Sequence, residues 1–118
     1  MDKINLVEKL GLISEYWHPK IVGEINDSFV MLVKLKGEFI WHLHESGDEM
    51  FLVLKGRLRI KPRRGDVILR DGEFFIVPKG VEHMPVADEE VHALLLEPKT
   101  ILNTGNFTNE KTVEAEWL

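Results

Sequence analysis

Three histidines and one glutamate in this chain have types and spacings that could bind a metal ion. His42 and His44 are separated by one residue, so both would project from the same face of a β-strand. Glu49 follows a Ser-Gly-Asp turn signal, and a chain reversal there would return its carboxylate to that face. His83 begins a later apolar run after a Pro-Lys-Gly turn signal. Three neutral imidazoles and one carboxylate suit one divalent first-row ion: Mn, Fe, Co, Ni, Cu or Zn.

The alternative for these four residues is that they are polar core groups satisfied by hydrogen bonds, or remains of a site without metal. Burying three imidazoles and a carboxylate in an apolar barrel without an ion would leave several polar atoms in need of partners. The sequence contains no cysteine, so any metal must be held by nitrogen and oxygen. These arguments favour a metal centre.

Length and charge limit the other possibilities. With 118 residues the chain is one domain's worth, and we expect a single domain over residues 1–118. Its 15 basic and 20 acidic side chains give no basic footprint for nucleic acid or an anionic membrane. Charged residues interrupt the apolar ones at the amino terminus, and no run approaches the ~20 apolar residues of a membrane span. We therefore expect a cytoplasmic protein that binds a small molecule.

The regular structure is predicted to be mainly β. Residues 3–13 have apolar side chains at every third position from Ile4 to Ile13, which predicts a short amphipathic helix with Asp2 as its cap. From Ile21 onward, apolar runs alternate with turn signals, the last of them Asp88-Glu89. Short strands without intervening helices indicate an all-β sandwich or barrel. The tail, TVEAEWL, alternates apolar and polar residues and could add a strand or dock on a neighbouring subunit.

Strand alternation separates an inner from an outer face of this barrel. If the two histidines point inward, a set of large apolar residues points outward: Phe39, Trp41, Leu43, Met50, Leu52 and Leu54. A monomer rarely exposes so large an apolar surface, so the helix or a second subunit should cover it. One short helix is too small for that area, which favours a homodimer. The inward apolar candidates are Ile40, Phe51 and Val53.

The spacing of these residues resembles the two motifs of the cupins. The first motif, G-x5-H-x-H-x3 or 4-E-x6-G, is matched over residues 37–56 by Gly37, His42, His44, Glu49 and Gly56, with four rather than five residues after the first glycine. The second, G-x5-P-x-G-x2-H-x3-N, is matched over residues 72–87 by Gly72, Pro78, Gly80 and His83. Ala87 stands in place of the final asparagine, which is not a metal ligand in the family pattern.

The resemblance implies a single-domain jelly-roll barrel, a double-stranded β-helix, with a short amino-terminal helix. It also implies that the metal ion is held by His42, His44, Glu49 and His83. The flanks, YWHPKIVGEIND at 16–27 and EPKTILNTGN at 97–106, are similar to the small cupins called mannose-6-phosphate isomerase-like. We carry over the fold and the metal from that group, and not the substrate.

A metal held by four side chains keeps one or two positions for water or substrate, which allows two kinds of chemistry. As a Lewis acid it would support sugar isomerase or epimerase reactions; as a redox centre it would support a dioxygenase, and both occur among cupins. A phosphorylated sugar calls for cations near the cavity, whereas the basic residues at 57–64 face mainly outward by alternation. The apolar inward candidates suit a small, partly apolar substrate, so we favour dioxygenase chemistry.

A third hypothesis is a metal-stabilised module that binds a small ligand without turnover, because few acid-base groups remain beyond the four ligands. His92 is the one candidate catalytic residue. It alternates with Leu94 and Leu96 on one face and could reach the cavity as an acid or base. A histidine with purely structural contacts is the alternative at this position.

Overall fold

The computed structural model describes residues 2–62 and 65–118, and strands are its main regular structure. Within these residues one helix and eight strands follow in the order α1 (Leu6–Leu10), β1 (Lys20–Ile25), β2 (Ser28–Glu38), β3 (Glu49–Lys55), β4 (Leu58–Pro62), β5 (Val67–Leu69), β6 (Phe74–Val77), β7 (His83–Pro98) and β8 (Glu116–Trp117). The all-β prediction with a short amino-terminal helix is therefore confirmed. No helix in the described part of the chain is long and apolar enough to cross a membrane.

The helix begins later than predicted. Asn5, not Asp2, is the N-cap, and its side chain accepts a hydrogen bond from the backbone N–H of Glu8. An asparagine cap satisfies one of the amide groups that lack a partner in the first helical turn. The apolar spacing did not identify the first residue of the helix, because it marks apolar positions and carries no information on which residue caps the helix.

The apolar face of the helix is also narrower than predicted. Leu10 and Ile13 are buried, whereas Ile4 is exposed and Val7 is 81% exposed. Ile4 and Ile13 lie outside α1, and within it Val7 and Leu10 are about 300° apart around the axis, so the four residues at a spacing of three do not form one helical face.

Strand β7 is the centre of the sheet. Its first half pairs with β4 and its second half with β3, while β2 lies antiparallel to it along most of its length. The described strands follow the order β5-β4-β7-β2-β1-β8, with β6 attached through β3. This arrangement is the jelly-roll expected from the sequence, although the hydrogen-bonded ladder does not close into a ring among the described residues. The predicted turn at Asp88-Glu89 is wrong, because β7 runs through it.

The inner face of the sheet forms the main core. Its largest fully buried members are Met31, Val33, Val53, Leu58, Ile60 and Val91. A second cluster lies on the outer face, where α1 places Leu10 against Leu32 and Val22. The helix thus covers one part of the outer face and leaves the rest to be covered by something else.

Strand alternation predicted the buried side of β3 and β4. Phe51 and Val53 are buried, as expected. Leu58 and Ile60 are fully buried. The basic residues that alternate with them lie on the other face: Arg57, Arg59 and Lys61. Residues 63–64 of the predicted basic stretch lie outside the described residues.

The alternation fails between β2 and β3. Phe39 was expected to point outward, but it is buried and lines the inner cavity, while Ile40 is half-buried and does not line it. Strand β2 ends at Glu38, and residues 39–48 make only an isolated bridge at His42. Alternation cannot be counted through backbone that is not extended throughout.

The carboxyl-terminal tail adds a strand. The two residues of β8 pair in parallel with the start of β1, and the Leu118 N–H donates to the Ile21 carbonyl. Of the two alternatives for the tail, the added strand is thus the one observed.

Candidate metal centre

The fold brings the four predicted ligands together. All four are buried, and one donor atom from each lies within 4.8 Å of the others. Glu49 Oε1 is 3.3 Å from His44 Nε2 and 3.4 Å from His83 Nε2. The four residues are His42, His44, Glu49 and His83.

The backbone places two of the imidazoles opposite each other. His42 and His83 form an isolated antiparallel bridge, with N–H to carbonyl distances of 3.0 and 2.8 Å in the two directions. Each ring Nδ1 lies 2.9 Å from the carbonyl oxygen two residues earlier, that of Ile40 or of Val81. A carbonyl only accepts, so the ring proton is on Nδ1 and the Nε2 lone pair faces the site.

The other two ligands are held by turns between strands. The His44 carbonyl accepts a hydrogen bond of 2.7 Å from the Gly80 N–H, which ties the first motif to the second. Glu49 is the first residue of β3, paired with Val77 of β6. The preceding Asp48 side chain accepts a bond from the Lys79 N–H. Hydrogen bonds from Lys79 and Gly80 therefore join the turn after Val77 to the segment that carries His44 and Glu49.

Glu97 is a further buried carboxyl at the site, and the sequence reasoning missed it. It lies in β7, hydrogen-bonded to Glu49, and it lines the same cavity. Burial and the neighbouring charge of Glu49 raise the pKa of Glu97 well above its usual range. Burial also raises the pKa of Glu49, but its contacts with Glu97, His44 and His83 outweigh this and hold that pKa well below the usual range. The charge of the pair is therefore favoured on Glu49 and the proton on Glu97.

His42 is neutral at neutral pH. Burial, followed by the neighbouring His83, lowers its pKa to about 4. A neutral imidazole is the form that binds a metal ion.

The buried atoms at the site fit a divalent cation. Five side-chain atoms have no hydrogen-bond partner among the described residues: Nδ1 and Nε2 of His44, Oε1 of Glu49, Nε2 of His83 and Oε2 of Glu97. An unsatisfied buried polar group costs about 1–3 kcal/mol, and Glu49 Oε1 lies within 3.4 Å of Nε2 of both His44 and His83, so one cation would satisfy these three atoms. The donor set of three nitrogens and a carboxylate suits a first-row divalent ion.

An apolar cavity adjoins the ligands. Its walls include Trp17, Val33, Leu35, Phe39, Phe51 and Leu95, and Asn103 and Glu97 supply polar groups beside His42 and Glu49. The cavity has a volume of about 30 Å³, which is room for roughly two water molecules. The Trp17 ring stacks on Phe39 with ring centres 4.8 Å apart. A ligand larger than a few atoms must therefore displace this wall or extend from the open side.

His92 does not reach this cavity. It shares a face of β7 with Leu94 and Leu96, as predicted, but that face is the outer one, since Val91, Ala93 and Leu95 are buried on the other. Its Nε2 lies 2.7 Å from a Glu90 carboxylate oxygen. A catalytic role at the metal centre is therefore excluded by its position.

The sequence and the fold of this chain are similar to those of known proteins. Residues 29–97 match the family described as the cupin domain. A cupin-2 domain containing protein from Shewanella frigidimarina is 43% identical with a TM-score of 0.79, and the match covers 80% of this chain and 93% of that chain. Protein NMB1881 from Neisseria meningitidis is 33% identical with a TM-score of 0.76, over 82% and 99% of the two chains.

Two further comparisons are narrower. The uncharacterized protein YdbB of Bacillus subtilis is 36% identical over 63 residues, which is 52% of this chain and 56% of YdbB, so the match spans about half of that relative. Hydroquinone 1,2-dioxygenase from Sphingomonas sp. TTNP3 is 20% identical with a TM-score of 0.72, over 82% of this chain and 32% of that chain. This last likeness concerns the fold alone.

Proposed function

The chain belongs to the cupin family, and we propose that it is a metal-dependent enzyme that acts on a small organic molecule. The observation that carries the proposal is the pair of imidazoles, His42 and His83, whose Nδ1 protons are held by backbone carbonyls, so that Nε2 of each is left for a metal ion in a group of four donor atoms within 4.8 Å of one another. A histidine that binds a metal through one ring nitrogen typically donates the N–H of its other ring nitrogen to a carbonyl or carboxylate, as these two do.

The metal would be held by His42, His44, Glu49 and His83. Once bound, a first-row divalent ion would supply Lewis-acid or one-electron chemistry beside the cavity. The chain's own residues have separate tasks around it. Phe39 and Trp17 exclude bulk water, and the Glu97 carboxyl holds a hydrogen bond to Glu49 next to the space for substrate.

Dioxygenase-type chemistry is our first candidate. The cavity wall is largely aromatic and aliphatic, which suits a small, partly apolar substrate. The basic residues of β4 lie on the opposite face, so they are not available to bind a phosphorylated substrate in the cavity. The fold shared with a hydroquinone 1,2-dioxygenase is in keeping with this choice.

Isomerase or epimerase chemistry is the second candidate, and Glu97 is the observation that favours it. A buried carboxyl beside the metal ligands is the acid-base group that such proton transfers need. The mannose-6-phosphate isomerase-like type belongs to this alternative. A non-catalytic module that binds a small ligand is the third, and turnover measurements separate it from the other two.

Three other expectations stay predictions: one domain over residues 1–118, a cytoplasmic location, and a homodimer. We also predict a small-molecule ligand and no nucleic-acid or membrane partner.

Metal analysis of protein purified without added metal tests the centre. We expect bound first-row metal in the wild type and strongly reduced metal in His44→Ala and Glu49→Ala, since each removes a ligand. His92→Ala is the matched control, because it removes a histidine outside the cavity and should keep the wild-type content. Full metal content in both ligand variants would falsify the site.

Oxygen uptake with a panel of catechols and enols tests the reaction class. Uptake by iron- or manganese-containing protein supports the dioxygenase proposal. Zinc as the native metal, or substrate binding without uptake, would count against it and leave the isomerase or binding alternatives.

A further inference from the structure

The segment between β7 and β8 lies against the metal centre, and we propose that Gly105 and Asn106 are positioning residues for the ligand His44. The inference rests on the proposed metal centre and concerns residues outside the matched 29–97 region. The three histidines differ in how their rings are held. His42 and His83 are each held by a backbone carbonyl at Nδ1, whereas neither ring nitrogen of His44 has a hydrogen-bond partner among the described residues.

Asn106 fixes the backbone next to His44. The Leu43 N–H donates to Asn106 Oδ1 at 3.0 Å, and the Asn106 N–H donates to the Leu43 carbonyl at 3.0 Å. The two bonds hold both peptide groups of Leu43, and the second of these is the peptide that leads into His44. The direction in which the imidazole leaves the backbone therefore depends on Asn106.

Gly105 is in close contact with the same residues. Its φ is +60°, and a Cβ built on it would lie 2.1 Å from the Leu43 carbonyl oxygen and 3.2 Å from His44 Nδ1. The first distance is shorter than any real contact, so another residue type would push residues 43–44 and this segment apart. Glycine is required here so that the backbone can lie against the His44 ring.

The segment is a closed unit that can act as a support. Thr104 is fully buried, and its hydroxyl bonds the Thr112 hydroxyl at 2.7 Å. The Asn103 amide donates to the Lys111 carbonyl, and its oxygen accepts from the Val113 N–H. These bonds lie within the segment and fix its shape. We therefore expect the whole segment to dock on Leu43 as one unit.

Docking of the segment and metal binding are therefore linked. If His44 is in place only when the segment is docked, a metal bound by His44 stabilises the docked form, and docking raises metal affinity by the same factor. Residues that orient a ligand typically change metal affinity by about 10–100-fold when they are replaced.

A Co²⁺ titration followed by visible absorbance tests the inference, because the spectrum reports the number and kind of ligands. We expect Gly105→Ala to bind Co²⁺ at least tenfold more weakly than the wild type, with an altered spectrum. Gly72→Ala is the matched control: it has a φ of +81° and no atom within 4 Å of its built Cβ, so it carries similar backbone strain without the contact. It should keep the wild-type affinity and spectrum.

Asn106→Ala gives a second test should Gly105→Ala fold poorly. It removes only the side-chain acceptor for the Leu43 N–H and should weaken Co²⁺ binding severalfold, while Asn106→Asp keeps the acceptor oxygen and should restore affinity. Hydrogen exchange supplies a separate readout. In the wild type, Co²⁺ should slow exchange of the Asn106 amide, and in Gly105→Ala this protection should be reduced.

The outcomes separate this inference from the proposed function. A wild type that binds no Co²⁺ would overturn the metal centre itself. Wild-type binding with equal affinity and spectrum in Gly105→Ala, Asn106→Ala and Gly72→Ala would overturn only the positioning role, as would Asn106 exchange that is the same with and without Co²⁺.

Discussion

At the residue scale, hydrogen bonds to backbone carbonyls orient two of the histidines, His42 and His83, for metal binding. A backbone carbonyl holds the Nδ1 proton of His42 and of His83, which fixes the ring orientation and leaves Nε2 as the free lone pair. Because the imidazoles are buried, protonating them in the folded protein costs free energy. The stability of the metal-free protein should therefore depend on pH.

The metal-free protein should lose stability in acid because of His42. Its pKa is lowered from 6.5 to about 4, so between these values the unfolded chain binds a proton that the folded chain does not. The free energy of unfolding should therefore fall as the pH drops from about 6.5 to about 4, by roughly 3 kcal/mol at most. Urea unfolding at pH 7.5 and 4.5 with a chelator measures this. His42→Gln should reduce the difference, and an unchanged difference would contradict the assignment.

Glu97 gives a second prediction at this scale. Glu97→Gln keeps a hydrogen-bond donor for Glu49 but has no carboxyl for proton transfer. We expect metal content close to that of the wild type and turnover lower by about 10²-fold or more, the usual contribution of a general acid or base. Metal analysis and turnover of the substrate that the assays identify are the measurements. Wild-type turnover would limit Glu97 to a structural role.

The sequence predicted the four residues that the fold brings together, and one assumption hid Glu97. In β7 the buried residues from Val91 to Glu97 have odd numbers, the same parity as His83, so counting along the whole strand puts Glu97 inside and His92 outside, although Val86 is buried and Glu89 is exposed in between. The Asp88-Glu89 pair looked like a turn, which interrupted the count. Local polarity cannot distinguish a turn from the exposed middle of a long strand, since both are solvated.

At the element scale, the segments that flank the matched region complete the cavity. Trp17 precedes β1 and Asn103 follows β7, and both line it. Trp17 has a φ of +60°, which is an outlier for a bulky residue. Its indole N–H donates to the Lys36 carbonyl at 2.8 Å, and its ring stacks on Phe39, so tertiary contacts hold the strained conformation. Sequence patterns carry little information on irregular segments of this kind.

Trp17→Ala should therefore destabilise the fold and widen the cavity. Loss of the stack on Phe39 should lower the free energy of unfolding by about 2–4 kcal/mol, somewhat less than for a fully buried tryptophan. Metal content should stay unchanged, because Trp17 is not a ligand. Trp117→Ala is the control, since that ring is largely exposed and should cost little. Urea unfolding compares the two, and equal small effects would contradict the role given to Trp17.

At the whole-molecule scale, the outer face of the sheet remains partly uncovered. Two rows of apolar side chains cross β6, β3 and β7 on this face: Phe74, Leu52 and Leu94 in one, and Ile76, Met50 and Leu96 in the other. Helix α1 packs on β2, and on β7 Leu94 packs against the cluster that contains Leu10 and Leu32. On β6, Phe74 is 60% and Ile76 is 47% exposed. The predicted need for a cover is thus greatest at this edge.

A second copy of the chain is the cover that we propose for this edge. Among the described strands β6 pairs only with β3, so its outer backbone edge is free, and an antiparallel β6 from a second subunit could continue the sheet through a two-fold axis. Such pairing would bring the two Phe74 and Ile76 pairs together and remove them from water. This proposed interface differs from the outer apolar face that was predicted from the sequence, because that face included Phe39, which is buried inside the barrel.

Sedimentation at micromolar concentration should show a dimer for the wild type and a monomer for Ile76→Lys, since a lysine at the centre of the apolar edge would be buried without a partner. Ile25→Lys is the matched control, because Ile25 is 56% exposed at the end of β1, beside the turn into β2. It should leave the dimer intact. A wild type that sediments only as a monomer would rule out the homodimer, and a dimer that survives Ile76→Lys would place the interface elsewhere on the molecule.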